Sequence, residues 1–172
     1  MKIKRIRGSK MVRKKGIDNE TDPYIPKKGL GSAGISVCKA CKSVYHEKRW
    51  IHSTEVPQSV VAQREKKIVL CPACQKIRDK FAEGYVIIQG DFPKGHKEEI
   101  INLVRNKEEH AMHFNPLDRI IEIREKAGGM EVTTTTENLA QRIGQILEKS
   151  YDGEVEYKWS DDVKLARVVW KR

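Results

Sequence analysis

Four cysteines are the residues best placed to do chemistry, and they fall as two pairs, Cys38-x-x-Cys41 and Cys71-x-x-Cys74, with 29 residues between them. A CxxC turn sets two sulfurs on one side of a tight knuckle, and two knuckles complete a tetrahedron of thiolates. Thiolate sulfur suits zinc, and no cysteine is left over, so the set closes on itself. Disulfides would need an oxidising compartment, and a redox dithiol needs no second pair. The expected cofactor is one zinc ion on Cys38, Cys41, Cys71 and Cys74. Four thiolates leave no coordination position for water, which points to a structural ion and not a hydrolytic one. Its task would be to fold residues 37–83, which have too little apolar surface to hold themselves together.

Other reactive types read more simply as structure. His110 and His113, with His96 upstream, suit a helix end better than a second metal site. The run Thr133 to Thr136 fits a strand end followed by a helix cap. Trp159 is expected in a core, whereas Trp50, flanked by Lys48 and Arg49, is the candidate for stacking on RNA bases. No Walker loop, Rossmann fingerprint, GxSxG or HExxH occurs, and no carboxylate pair stands out as an acid/base couple. The expectation is a protein that is not an enzyme and takes no small-molecule substrate.

The elements that must position these residues follow from periodicity. The second knuckle leads directly into Gln75 to Glu83, a helical stretch ended by Gly84, and a knuckle that opens a helix predicts a treble clef. Ser53 to Lys67, between the pairs, reads as a surface helix or long loop. Tyr85 to Ile88 predicts a buried strand, Lys94 to Met112 a helix, Leu117 to Arg124 and Met130 to Thr135 two strands about the Gly128-Gly129 turn. Thr134 lies three residues before Glu137, the spacing of a capping box, and Leu139, Ile143, Ile146 and Leu147 follow at helical spacing. Val155, Tyr157 and Trp159 alternate as in a half-buried strand, and a last strand runs near Leu165 to Trp170. The fold class predicted is α+β: a zinc module over 37–83, then a ferredoxin-like (split βαβ) domain over 84–172 with one extra strand.

Charge supplies the partner class. The chain of 172 residues carries a net charge of +10, with 38% hydrophobic and 34% charged residues. Residues 1–36 hold ten Lys/Arg against three Asp/Glu, a net of +7, leaving +3 for the other 136 residues. Lys2, Lys4, Arg5, Arg7, Lys10, Arg13, Lys14, Lys15, Lys27 and Lys28 make this a polyanion-binding arm, disordered when free and broken by Pro23, Pro26, Gly29, Gly31 and Gly34. The arm lacks the Trp/Phe/Leu face that an interfacial helix buries, so RNA or DNA is favoured over acidic lipid. With no apolar stretch after the basic start and no run of eighteen apolar residues, neither a secretory leader nor a membrane span is expected, and the expected location is cytoplasmic.

The two CxxC pairs, Trp50 between them and the helix after the second pair resemble the N-terminal part of the NMD family, an adaptor that binds the large ribosomal subunit. The closer resemblance is to short prokaryotic NMD-like proteins affecting ribosome stability and mRNA decay. Gly129-Met130-Glu131-Val132-Thr133, leading to Asn138-Leu139-Ala140-Gln141-Arg142-Ile143, is similar to that family's Gly-led strand and Ala-Gln helix. The resemblance spans about residues 37–150 and lacks the full adaptor's further cysteine pairs and domains, so nuclear export is not implied. It implies binding to the ribosome and its rRNA, the large subunit first, with ribosomal proteins as further contacts. A role in ribosome stability, hibernation or late large-subunit maturation follows from it. The competing readings are a zinc-dependent regulatory adaptor that binds protein, and an RNA-processing enzyme.

Overall fold

The computed structural model describes residues 3–4, 24, 35–57, 59, 66–160 and 163–172. Of the arm only Ile3–Lys4 (β1), Tyr24 and the last two residues fall among these. The expectation of a disordered arm, and the cations Lys2, Arg5, Arg7, Lys10, Arg13, Lys14, Lys15, Lys27 and Lys28, lie outside the described residues. Where the arm is described it is engaged: Ile3 and Lys4 pair antiparallel with Lys158 and Tyr157.

Two mixed sheets divide the described chain. The smaller is built from β2 (Ile35–Cys38), β3 (Val44–His46), β4 (Arg49–Ile51) and β5 (Lys66–Val69), in the order β4-β3-β2-β5. Its first strand starts at Ile35, two residues before the boundary expected from sequence, because Ile35 is buried with Val44 and Val56. Glu47 and Lys48 both take positive φ, 47° and 63°, and so close β3 onto β4 in a two-residue turn. Between Ile51 and Lys66 the described residues include one turn of 3-10 helix, Ser53–Glu55, and Ser59 in helical conformation.

Helix α1 (Pro72–Asp79) follows, opened by Cys71 as N-cap and Pro72 at its first position. It stops earlier than expected. Lys80, at φ 53°, is the left-handed cap, and Phe81 N donates to Lys76 O at 2.9 Å, so the helix ends before Gly84. Gly84 serves another purpose: a Cβ there would lie 2.3 Å from Thr134 Oγ1 and 2.5 Å from Ala140 Cβ.

The larger sheet comprises β6 (Gly84–Gln89), β7 (Ile120–Lys126), β8 (Gly129–Thr134), β9 (Glu154–Trp159) and β10 (Ala166–Lys171), with β1 at its margin. Its order is β1-β9-β10-β6-β8-β7. Helices α2 (Phe92–Gly95), α3 (Lys97–Phe114) and α4 (Glu137–Tyr151) connect the strands. The expected succession of strand, helix, two strands, helix and strand is present. The additional strand β10 enters between β9 and β6, parallel to β6, and separates two strands that a plain split βαβ sheet would pair. Val86, Ile88, Met130, Val132, Val168 and Trp170 point to one face and are buried with Ile100, Val104, Leu139, Ile143 and Leu147 of α3 and α4. Trp159 packs against the margin of this core, as its alternation predicts. Among the described residues no helix is long and apolar enough to cross a membrane.

Candidate metal centre and basic surface

Local hydrogen bonds shape each knuckle. Cys38 ends β2, its N–H donates to Ser43 O at 2.8 Å, and Lys42 N donates to Cys38 O at 3.0 Å with Lys42 at φ 64°. That turn returns Cys41 beside Cys38. The second pair straddles the start of α1: Cys74 N donates to Cys71 Sγ at 3.4 Å, and Cys71 N donates to Cys38 Sγ at 3.3 Å. Amides aimed at sulfur stabilise thiolates.

The structure brings all four sulfurs within 4.8 Å of one another, with Cys38 and Cys71 buried and Cys41 and Cys74 half-buried. Cys41 Sγ and Cys71 Sγ are 3.6 Å apart. A tetrahedron with metal–sulfur bonds of about 2.3 Å requires sulfur–sulfur edges of about 3.8 Å, so the four residues fit one metal ion. Proton energetics agree. The Cys71 thiol, donating to Cys41, holds the Cys41 pKa well below its usual value, at about 4. That same bond, with burial, pushes Cys71 up. Burial and the neighbouring Cys41 charge push Cys74 up to about 12. Four crowded sulfurs cannot all ionise on their own, and a divalent cation is what would let them do so.

Behind the centre, the knuckle helix is fastened to the larger sheet. Lys76 of α1 and Glu83 form a buried pair at 2.6 Å, and Lys76 Nζ also donates to Thr135 O at 3.4 Å. Leu117 packs against the cluster of Cys38, Trp50, Cys71 and Ala73. Sequence reading missed the Lys76–Glu83 pair, whose only local signal was a lysine and an acid flanking the end of a helix.

Trp50 requires a correction. It is only 8% exposed, packed with the cysteines and set against Tyr45 with ring centroids 5.5 Å apart. Its basic neighbours in sequence suggested an open stacking platform, but the ring is part of the module's small core. Lys48 and Arg49 do stand exposed at the β3–β4 turn. Lys39, Lys42, Lys66, Lys67, Arg78 and Lys80, which sequence reading did not single out, are exposed on the same module. Residues 37–83 carry ten Lys/Arg against five Asp/Glu, net +5, whereas residues 84–172 carry fourteen against sixteen, net −2.

The other discounted residues have structural employment. Thr135 Oγ1 donates to Leu117 O at 2.6 Å, and Thr136 Oγ1 donates to the buried Asp118 at 2.7 Å while accepting from Leu139 N at 3.3 Å. Thr136, not Thr134, therefore caps α4. His110 and His113 lie against Phe114 near the end of α3. The four cysteines form the one cluster suited to a metal among the described residues. No protein-family model and no curated protein matches this chain.

Proposed function

We propose that the protein is a zinc-stabilised, non-enzymatic RNA-binding factor of the ribosome, acting on its stability, hibernation or late large-subunit maturation. The observation that carries this reading is the distribution of charge: the arm and the metal-linked module together hold a net of +12, against −2 for the domain built on the larger sheet. Cations so placed suit phosphate, and arm and module would grip one polyanion together. In this reading zinc fills the four-sulfur centre, the module is a treble clef with one knuckle on a hairpin and the other opening α1, and the larger sheet is a split βαβ frame with β10 intercalated. The resemblance to NMD-like proteins supplies the ribosome as the source of the RNA, and the protein would work in the cytoplasm.

Sedimentation of tagged protein through sucrose gradients, from growing and starved cells, tests the reading. The expected result is co-migration with large subunits or whole ribosomes, reversed by salt. Neutralising about six arm cations should weaken binding by orders of magnitude and flatten its salt dependence. Protein that stays at the top of the gradient in every condition, or a partner retained after nuclease, would overturn it.

A further inference from the structure

The larger sheet has a second face. Because Val86, Ile88, Val168 and Trp170 point into the core, strand alternation sends Tyr85, Ile87, Arg167, Val169 and Lys171 to the opposite side. Helices α3 and α4 both lie on the core side. Sequence reading placed Tyr85 to Ile88 wholly inside a core, whereas Tyr85 and Ile87 are half-buried on this open face.

Register arranges the face in rows. Tyr85 of β6 lies opposite Thr133 on one side and Arg167 on the other, and Arg167 lies opposite Lys158. The Arg167 guanidinium sits 5.8 Å from the centre of the Tyr85 ring. Three acids of the face are answered within it: Glu122 pairs with Arg124 at 2.7 Å, Glu131 with Lys126 at 3.6 Å and Glu156 with Lys158 at 3.3 Å, while Glu154 lies opposite Lys171 in register. Arg167 and Lys171 have no ion pair among the described residues. At one corner, helix α1 of the basic module, which Lys80 caps, lies against β7, the strand that carries Glu122.

We propose that this open face is a platform for unpaired RNA, with Tyr85 and Arg167 stacking on a base and Lys171 and Lys80 meeting phosphates on either side. This rests on the RNA-binding reading above and specifies the form of RNA: single-stranded segments, whose bases can be splayed onto a sheet as those of a duplex cannot. An aromatic ring beside a guanidinium is sequence-tolerant, since every base offers a π face. The occupant is nucleic acid and not protein because the face offers a ring beside a guanidinium, and none of the exposed large hydrophobics among the described residues lies on its strands.

The test uses the full metal-loaded chain and a fluorescent, unstructured RNA of about 12 nucleotides, with an RNA duplex alongside. Tyr85→Ala and Arg167→Ala should each weaken binding to the single strand about tenfold, Tyr85→Phe should restore it, and duplex binding should be unmoved. The salt slope should stay that of the parent, because stacking releases few counterions, while arm neutralisation lowers it. Photocrosslinking should attach the oligonucleotide to the peptide bearing Tyr85. Unchanged single-strand binding in both variants, with binding lost on arm neutralisation, would overturn the platform and leave the RNA reading intact. Loss of a nuclease-resistant protein partner in place of RNA would assign the face to protein and also overturn it. A parent chain that binds neither RNA would overturn both.

Discussion

The four-cysteine module and the larger sheet domain are held together by different means. In the sheet domain fifteen buried residues, among them Trp170, Ile88, Leu139 and Ile143, form one continuous core between sheet and helices. In the module the buried residues form two clusters of four and three, and in the larger of these two members are cysteines of the centre. Core burial scales with size and can hold the first alone, whereas a segment as small as the second needs a staple. The contrast extends to charge, because a module whose four clustered sulfurs could take an ion in place of a large core can devote its surface to cations. Hold and function are thereby separated: one part supplies the frame, the other most of the positive field.

The most direct way to break the comparison is Cys71→Ser, which replaces a candidate metal-binding thiolate with a hydroxyl that can still cap α1. Structural zinc contributes about 10–16 kcal/mol in small modules, so the variant should lose stoichiometric metal and the ordered environment of Trp50. The sheet domain should still melt cooperatively. Metal analysis, near-ultraviolet circular dichroism and calorimetry would read the three effects, and metal retained at one equivalent would show that Cys71 is not a ligand. Acidification of the parent should release the ion in the same way, as protons compete for the thiolates.

The converse variant is Trp170→Ala. That ring is fully buried against the helices and its Nε1 donates to Asp152 O at 2.8 Å. Truncation should cost the sheet domain about 4 kcal/mol with metal content unchanged. A smaller effect tests the joint between the two regions: Lys76→Met removes the buried 2.6 Å ion pair with Glu83 and should cost about 3 kcal/mol. Adding Glu83→Leu should recover much of that loss in urea unfolding, and a double variant as unstable as the sum of the singles would deny the coupling.

How much of this was legible in the sequence depends on the range of the interactions concerned. The cysteine spacing is local covalent geometry, and the centre is where it predicts. Strand and helix succession over residues 84–172 follows from periodicity, which is also local. The position of β10 is not, because whether a final strand joins an edge or enters between β9 and β6 depends on partners some eighty residues away in sequence. Trp50 misled because Lys48 and Arg49 are neighbours along the chain, while alternation turns the ring inward. The four consecutive threonines offered four possible caps, and only the pairing of β8 through Thr134 decides that Thr136 is free to cap. Thr136→Ala should accordingly destabilise the sheet domain by about 1 kcal/mol, measured by thermal unfolding, and a variant as stable as the parent would deny it that role.

The smallest expected effect sharpens the comparison on the side of the sheet domain. Asp118 is 1% exposed and accepts from Asn115 Nδ2 at 3.0 Å and Thr136 Oγ1 at 2.7 Å, with Arg142 at 3.4 Å. Burial pushes its carboxyl above the usual range, and these partners offset only part of that. The folded value thus exceeds the unfolded one of about 3.9, so the native state binds this proton more tightly. Its contribution to stability is full below about pH 3.9 and is lost as pH rises through the folded value. Asp118→Asn abolishes the titration while keeping an oxygen to accept from Thr136. The free energy of unfolding of the parent relative to this variant should therefore decline as pH is raised from about 4 and then level off. A difference that instead grew with pH would mean that Arg142 and the hydrogen bonds outweigh burial. The carboxylate would then strengthen the corner where the module meets the sheet.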